Sequence, residues 1–121
     1  MPFLIEAAME LNKWIEKYER KAEEFIVLPG FSLYFEPDKG FFLYAKIGNV
    51  FEVDATCTND IHCFFDIANR MAKERGCTFM RTQTLHDPAA YMRLTKADIN
   101  IALSGIRSNG KMYWVFERRV I

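Results

Sequence analysis

Cysteine is scarce in this 121-residue chain: Cys57, Cys63 and Cys77 are odd in number, and their spacing suits no disulfide framework. A small secreted scaffold held by cross-links is thereby excluded, and a reducing cytoplasm is the expected setting. A surplus of charge of one sign is missing as well. Sixteen Lys and Arg offset sixteen Asp and Glu, so no net field draws the chain to nucleic acid or to an anionic membrane. No uncharged stretch approaches the ~20 residues that a membrane-spanning helix needs. The start, Met1-Pro2-Phe3-Leu4-Ile5-Glu6, lacks the basic flank and long apolar run of a secretory signal. With only four Pro and six Gly, no breaker-rich linker, repeat or low-complexity segment divides the chain, and residues 1–121 read as one domain.

What is plentiful is material for a core. Half the residues are hydrophobic, 15% are aromatic, and eleven are Phe. Leu4, Ala8, Leu11, Ile15, Tyr18, Ala22 and Phe25 step by four and three, which predicts a long helix from Phe3 to Glu24 with one apolar stripe. Its opposite face is charged and carries i, i+4 pairs such as Glu16 with Arg20. The repeat is too short for a typical coiled coil, so the helix is expected to lie on a sheet.

From Phe31 the period changes to two. Strands are predicted at Phe31–Phe35, Phe41–Ile47 and Val50–Cys57, joined by Pro37-Asp38-Lys39-Gly40 and by Gly48-Asn49. In the third, Phe51, Val53, Ala55 and Cys57 are expected on one face and Glu52, Asp54 and Thr56 on the other. Thr58-Asn59-Asp60 offers N-caps for a second helix, whose stripe is Ile61, Phe64, Ile67, Ala68, Met71 and Ala72 and whose terminator is Gly76. Cys77–Thr84 reads as the next strand, parallel to Val50–Cys57 because a strand–helix–strand crossover is right-handed. Asp87-Pro88 opens a third helix running to Ala97. Strands at Ile99–Gly105 and Lys111–Val120 close the chain around Ser108-Asn109-Gly110.

The fold class is therefore α/β in the α+β sense, a mixed and mostly antiparallel sheet of about six or seven strands with three helices. From Phe31 onward this order resembles the GNAT superfamily, which transfers acyl groups from acyl-CoA to amines. Asp87-Pro88-Ala89-Ala90-Tyr91-Met92-Arg93-Leu94-Thr95-Lys96-Ala97-Asp98-Ile99 is similar, without gaps, to the family segment N-P-x-A-x-x-x-Y-x-x-x-G-F. The ending Tyr113-Trp114-Val115-Phe116-Glu117-Arg118 is also of family type. The long first helix departs from it, since the family usually opens with a strand. Family habit and compactness point to a bacterial or bacteriophage source.

Two further departures bear on function. Active members carry R/Q-x-x-G-x-G/A between the fourth strand and its helix, where backbone N–H groups meet the pyrophosphate of CoA. The comparable stretch here is Thr58-Asn59-Asp60-Ile61-His62-Cys63, with no glycine and with Asp60 where phosphate would sit. Leu94 occupies the place of the family's Tyr, the usual acid for the leaving thiolate; Tyr91, one turn earlier, is the available substitute. Glu52 or Asp54 would be the general base in an enzyme, although strand alternation alone accounts for both.

The resemblance also implies where a ligand would lie, by strand addition between Val50–Cys57 and Cys77–Thr84. Asp54, Thr56, Thr58, Asn59, Asp60, Arg81, Gln83 and Thr84 are the residues expected around that cleft. Cys57, His62, Cys63 and His86 match no zinc spacing, so no metal is expected. Arg70, Lys73, Arg75, Arg118 and Arg119 form no continuous basic patch, and neither nucleic acid nor membrane is expected as a partner. Together these features favour a catalytically degenerate domain, a binding or structural module that works without a cofactor. It would pair with a second copy or a protein partner through the first helix or the terminal strands. The alternative is an acyl-CoA-dependent N-acyltransferase with an atypical site, and only that alternative brings in acetyl-CoA or CoA.

Overall fold

A computed structural model describes residues 2–84, 93, 98–99, 103–108 and 110–121. Helix α1 spans Pro2–Lys21; strands β1 (Ser32–Glu36), β2 (Gly40–Ile47) and β3 (Val50–Thr58) follow as an antiparallel meander. Helix α2 (Ile61–Glu74) then crosses to β4 (Phe79–Thr84), which runs parallel to β3. Strands β5 (Asp98–Ile99), β6 (Gly105–Ile106) and β7 (Met112–Arg119) complete the described elements. The sheet order is β1-β2-β3-β4-β7-β5, with β6 paired to β7. Among the described residues every strand pairing but β3–β4 is antiparallel.

The two helices described cover opposite faces of this sheet. On one side Tyr18 and Ala22 of α1 pack on Phe41, Leu43, Ala55 and Cys57, with Trp14 and Phe25 closing the edge. The indole of Trp14 donates to the Pro37 carbonyl at 2.8 Å and pins α1 to the β1–β2 turn. On the other side Phe64, Ala68 and Ala72 of α2 pack on Phe42, Phe51 and Met80. A sheet buried on both faces explains why β2 reads as a near-continuous apolar run, Phe41 to Ala45, instead of an alternating one. Among the described residues no helix is long and apolar enough to cross a membrane.

Local chemistry bounds α2 where the sequence predicts, whereas α1 ends at Lys21, short of the expected Glu24, and β4 begins at Phe79 and not Cys77. Asp60 caps α2, its carboxylate accepting the Cys63 backbone N–H at 3.1 Å. Gly76, with φ of 74°, takes the left-handed turn that stops the helix.

Two expectations fail. Phe51 and Val53 face α2, whereas Ala55 and Cys57 face α1. The register explains this: Phe42 pairs with Thr56 but Tyr44 with Val53, so Asp54 and Ala55 together oppose Leu43. That bulge inserts one residue and turns the remainder of β3 over. The strand expected at Ile99–Gly105 is instead the short β5 and β6, with Leu103 in a 3-10 turn. The Ser104 hydroxyl accepts the Val115 N–H at 2.9 Å, so a side chain fills a place in the ladder that a strand carbonyl would hold. Of the helix expected from Asp87 to Ala97, only Arg93 is among the described residues, and it is helical. Tyr91, Leu94 and His86 lie outside them.

Tyr34 links the sheet to a pH response. Its ring stacks on Phe42 at 5.0 Å and its hydroxyl donates to Glu36. Burial, and then that bond to Glu36, push the phenol from its ordinary 10 up to about 12. A phenol whose native pKa is raised contributes stability that is full below the unfolded value and lost as pH rises through the native one. Stability should therefore fall between about pH 10 and 12, with tyrosinate absorbance lagging behind that of a Tyr34→Phe control in which this step is absent. Equal pH profiles for the two proteins would refute the assignment.

Candidate functional site

The parallel pairing of β3 and β4 runs from Val50 with Phe79 to Val53 with Thr82, and stops there. The bulge is the cause: at Asp54 and Ala55, β3 turns over, and from Thr56 to Thr58 it pairs only with β2. Strand β4 continues along β7 as far as Thr84 opposite Trp114. The strands part, and a cleft of about 300 Å³ opens between them. This is the small end of the range for ligand pockets.

The cleft reaches both layers. Ile61, Phe64, Phe65 and Ala68 of α2 form an apolar wall on one side. Tyr18, Lys21, Ala22 and Glu23 form the rim on the other, with Arg107 and Tyr113 from the β6–β7 hairpin. Burial first, then the charges of Glu23 and Asp54, push the Tyr18 phenol far above its ordinary range, so it is a neutral donor there. Burial also raises the Cys57 thiol, against the opposing pull of Lys17 and Lys21.

Of the residues expected at the cleft, Asp54, Thr56, Thr58, Arg81 and Gln83 line it. Most of their polar atoms are engaged. The Gln83 amide donates to the Asp54 carboxylate at 2.9 Å, and the Thr56 hydroxyl donates to the Asp54 carbonyl at 2.9 Å. Arg81 bridges Glu52 at 2.9 Å and Glu117 at 3.1 Å. Glu52 borders a smaller hollow of about 130 Å³, shared with Asp54, Leu28 and Phe31. The Glu52 carboxylate is thus held by Arg81, whereas Asp54, which lines the larger cleft, has a neutral amide as its described partner.

Asn59 and Asp60 are placed elsewhere, on the β1–β2 turn: Asn59 donates to the Asp38 carbonyl at 3.0 Å, and Asp60 meets Lys39 at 3.5 Å. The Cys63 N–H first, and Lys39 after it, hold the Asp60 carboxyl below its usual range. Thr84 is described through its backbone pairing with Trp114. Cys57 faces α1, while His62 and Cys63 sit in the first turn of α2. Among the described residues no three such groups converge as a metal site. Arg118 and Arg119 diverge, one over Phe65 at 4.6 Å and the other over Phe79 at 5.9 Å.

Sequence reasoning missed the rim. Tyr18 reads as one more member of an apolar stripe, and Glu23, Arg107 and Tyr113 carry no mutual spacing that would bring them together. Only the docking of α1 against the terminal hairpin does so.

No protein-family model and no curated protein matches this sequence. Solved structures do match its fold. One described as an N-acetyltransferase from Lactobacillus plantarum is 17% identical, covers 100% of this chain and 94% of its own, and has a TM-score of 0.65. The ribosomal-protein-S18-alanine N-acetyltransferase of Escherichia coli is 9% identical over 89% of this chain and 86% of its own, with a TM-score of 0.58. A Bacillus subtilis acetyltransferase in complex with CoA is 10% identical over 90% and 84%, with a TM-score of 0.53. Identities this low speak to architecture and leave chemistry to the site. The chain has the GNAT N-acetyltransferase fold.

Proposed function

We propose that this chain is a binding domain on the acetyltransferase fold that has given up CoA-dependent acetyl transfer. The observation that carries this reading is Asp60 at the start of α2. Where the resemblance would place a pyrophosphate, the helix N-terminus is already capped by the chain's own carboxylate, 3.1 Å from the Cys63 N–H. An anion there would meet that fixed negative charge, in a turn with no glycine to let its backbone approach. The cleft itself is intact, so its occupant is an extended segment without a pyrophosphate, held along the parted strands. A protein partner or a second copy of the chain would supply that segment.

Titration with CoA and acetyl-CoA by calorimetry, with the thermal midpoint followed in parallel, tests the proposal. The expected result is no heat and no shift at millimolar ligand. Micromolar binding would overturn it, because a ligand at a hundredfold excess over its dissociation constant adds about 2.7 kcal/mol of stability.

One observation favours a second reading, an N-acyltransferase with an atypical site. The cleft opens toward both α1 and α2, so two reactants could meet in it from opposite faces of the sheet. Asp54, and not Glu52, would then be the base. Under that reading acyl transfer from acetyl-CoA would be detectable and Asp54→Asn would lower it by about 10²-fold or more.

A further inference from the structure

The α1-side mouth of the cleft is bridged by two contacts between parts of the chain that are remote in sequence. Arg107 donates to the Glu23 carboxylate at 3.2 Å across 84 residues. Lys111 donates to the Ala22 carbonyl at 2.9 Å across 89 residues. Ala22 and Glu23 are the first two residues after α1; Arg107 and Lys111 flank the tip of the β6–β7 hairpin. Lysine on a terminal carbonyl is also the favourable sign for a helix C-terminus.

These contacts are built to part. The Glu23 and Arg107 side chains keep 26% and 30% of their surface in solvent, so water competes for the pair. Arg107 lies over the Tyr113 ring at 4.4 Å, and in that pose its Nε is buried with no partner. The bridged pose therefore carries an unsatisfied donor that release of Arg107 would return to water. The two sides differ in how firmly they are held. Phe25 anchors the α1 side, with its ring 5.2 Å from that of Phe41 and 6.3 Å from that of Tyr18. On the other side β6 is a two-residue strand with Ile106 exposed, whereas β7 is held in the sheet between β4 and β5, so movement falls to the hairpin tip.

We infer that Glu23–Arg107 and Lys111–Ala22 form a latch across the α1-side mouth of the cleft, and that this mouth widens to admit ligand when the tip of the β6–β7 hairpin moves away from the end of α1. The inference rests on the cleft being a binding site, but its test requires no ligand and so separates the two ideas. Cys57 lines the cleft under Tyr18 and Ala22, whereas Cys77 is buried in the cluster on the α2 face. Cys57 thus reports on the mouth and Cys77 on the fold as a whole.

The experiment is site-resolved alkylation with iodoacetamide, read by mass spectrometry, on wild type, Glu23→Gln, Lys111→Met and the double variant. Removing the latch should raise the Cys57 rate by about fivefold in the double variant and less in each single one, while Cys77 stays at its wild-type rate. An unchanged Cys57 rate would overturn the latch. So would a parallel rise at Cys57 and Cys77, because the contacts would then be holding the whole fold. If the double variant folds poorly, Glu23→Gln alone carries the test, since it keeps the side-chain shape and removes only the charge.

Discussion

Gly40→Ala will lose roughly 4 kcal/mol of stability, among the largest effects a single substitution produces. Gly40 opens β2 at φ of 124°, a region that side chains rarely adopt. A Cβ there would stand 1.9 Å from the Cys57 carbonyl oxygen and 2.9 Å from both the Cys57 carbonyl carbon and the Thr58 Cα. All three are backbone atoms, and they cannot withdraw. Cys57 is locked opposite Phe41 in the ladder, and just beyond Thr58 the chain enters the capped start of α2. Gly48 provides the comparison: its φ is 62°, yet a Cβ would meet nothing within 4 Å. Gly48→Ala should cost only about 1 kcal/mol, the conformational part of the effect. Urea midpoints for the two variants separate the terms, and equal losses would show that the close approach at Cys57 is not the cause.

Phe42→Ala is expected to destabilise by roughly 3–5 kcal/mol. Phe42 is 1% exposed and sits at the centre of the aromatic cluster under α2. Its ring stacks on Tyr34 at 5.0 Å and meets Phe64 edge-on at 5.6 Å and Tyr44 at 5.9 Å. Truncation opens a cavity whose walls belong to β1, β2 and α2 at once, so no single element can move in to fill it. A double-mutant cycle with Phe64→Ala should show about 1 kcal/mol of coupling beyond additivity, from ring geometry and the shared cavity. Phe79 is 39% exposed, and Phe79→Ala should cost far less. Chemical denaturation of these four variants, the double one included, decides the matter. A loss at Phe42 no greater than at Phe79 would mean that the cluster is not the centre of the fold.

The latch and the cleft owe little to any motif. Asp54, Thr56, Thr58, Arg81 and Gln83 were legible as cleft residues because the strand–helix–strand order places two parallel strands side by side. Asn59 and Asp60 were expected at the cleft as well as in the cap, but they do not line it; their ties to Asp38 and Lys39 come from the β1–β2 turn folding onto the start of α2. Glu23 and Arg107 each look like one more surface charge.

By itself the sequence determined the order of the elements as far as β4, a cap for α2 within Thr58-Asn59-Asp60, the stop at Gly76 and the parallel crossover from β3 to β4. Each rests on chemistry within a few neighbouring residues, or on a handedness that all chains share. Only the tertiary structure decided which face Ala55 and Cys57 occupy, how far β3 and β4 stay paired, and which charges meet at the rim of the cleft between them. Those features depend on register. One extra residue opposite Leu43 turns a strand over, and that offset exists only once β2 and β3 have met.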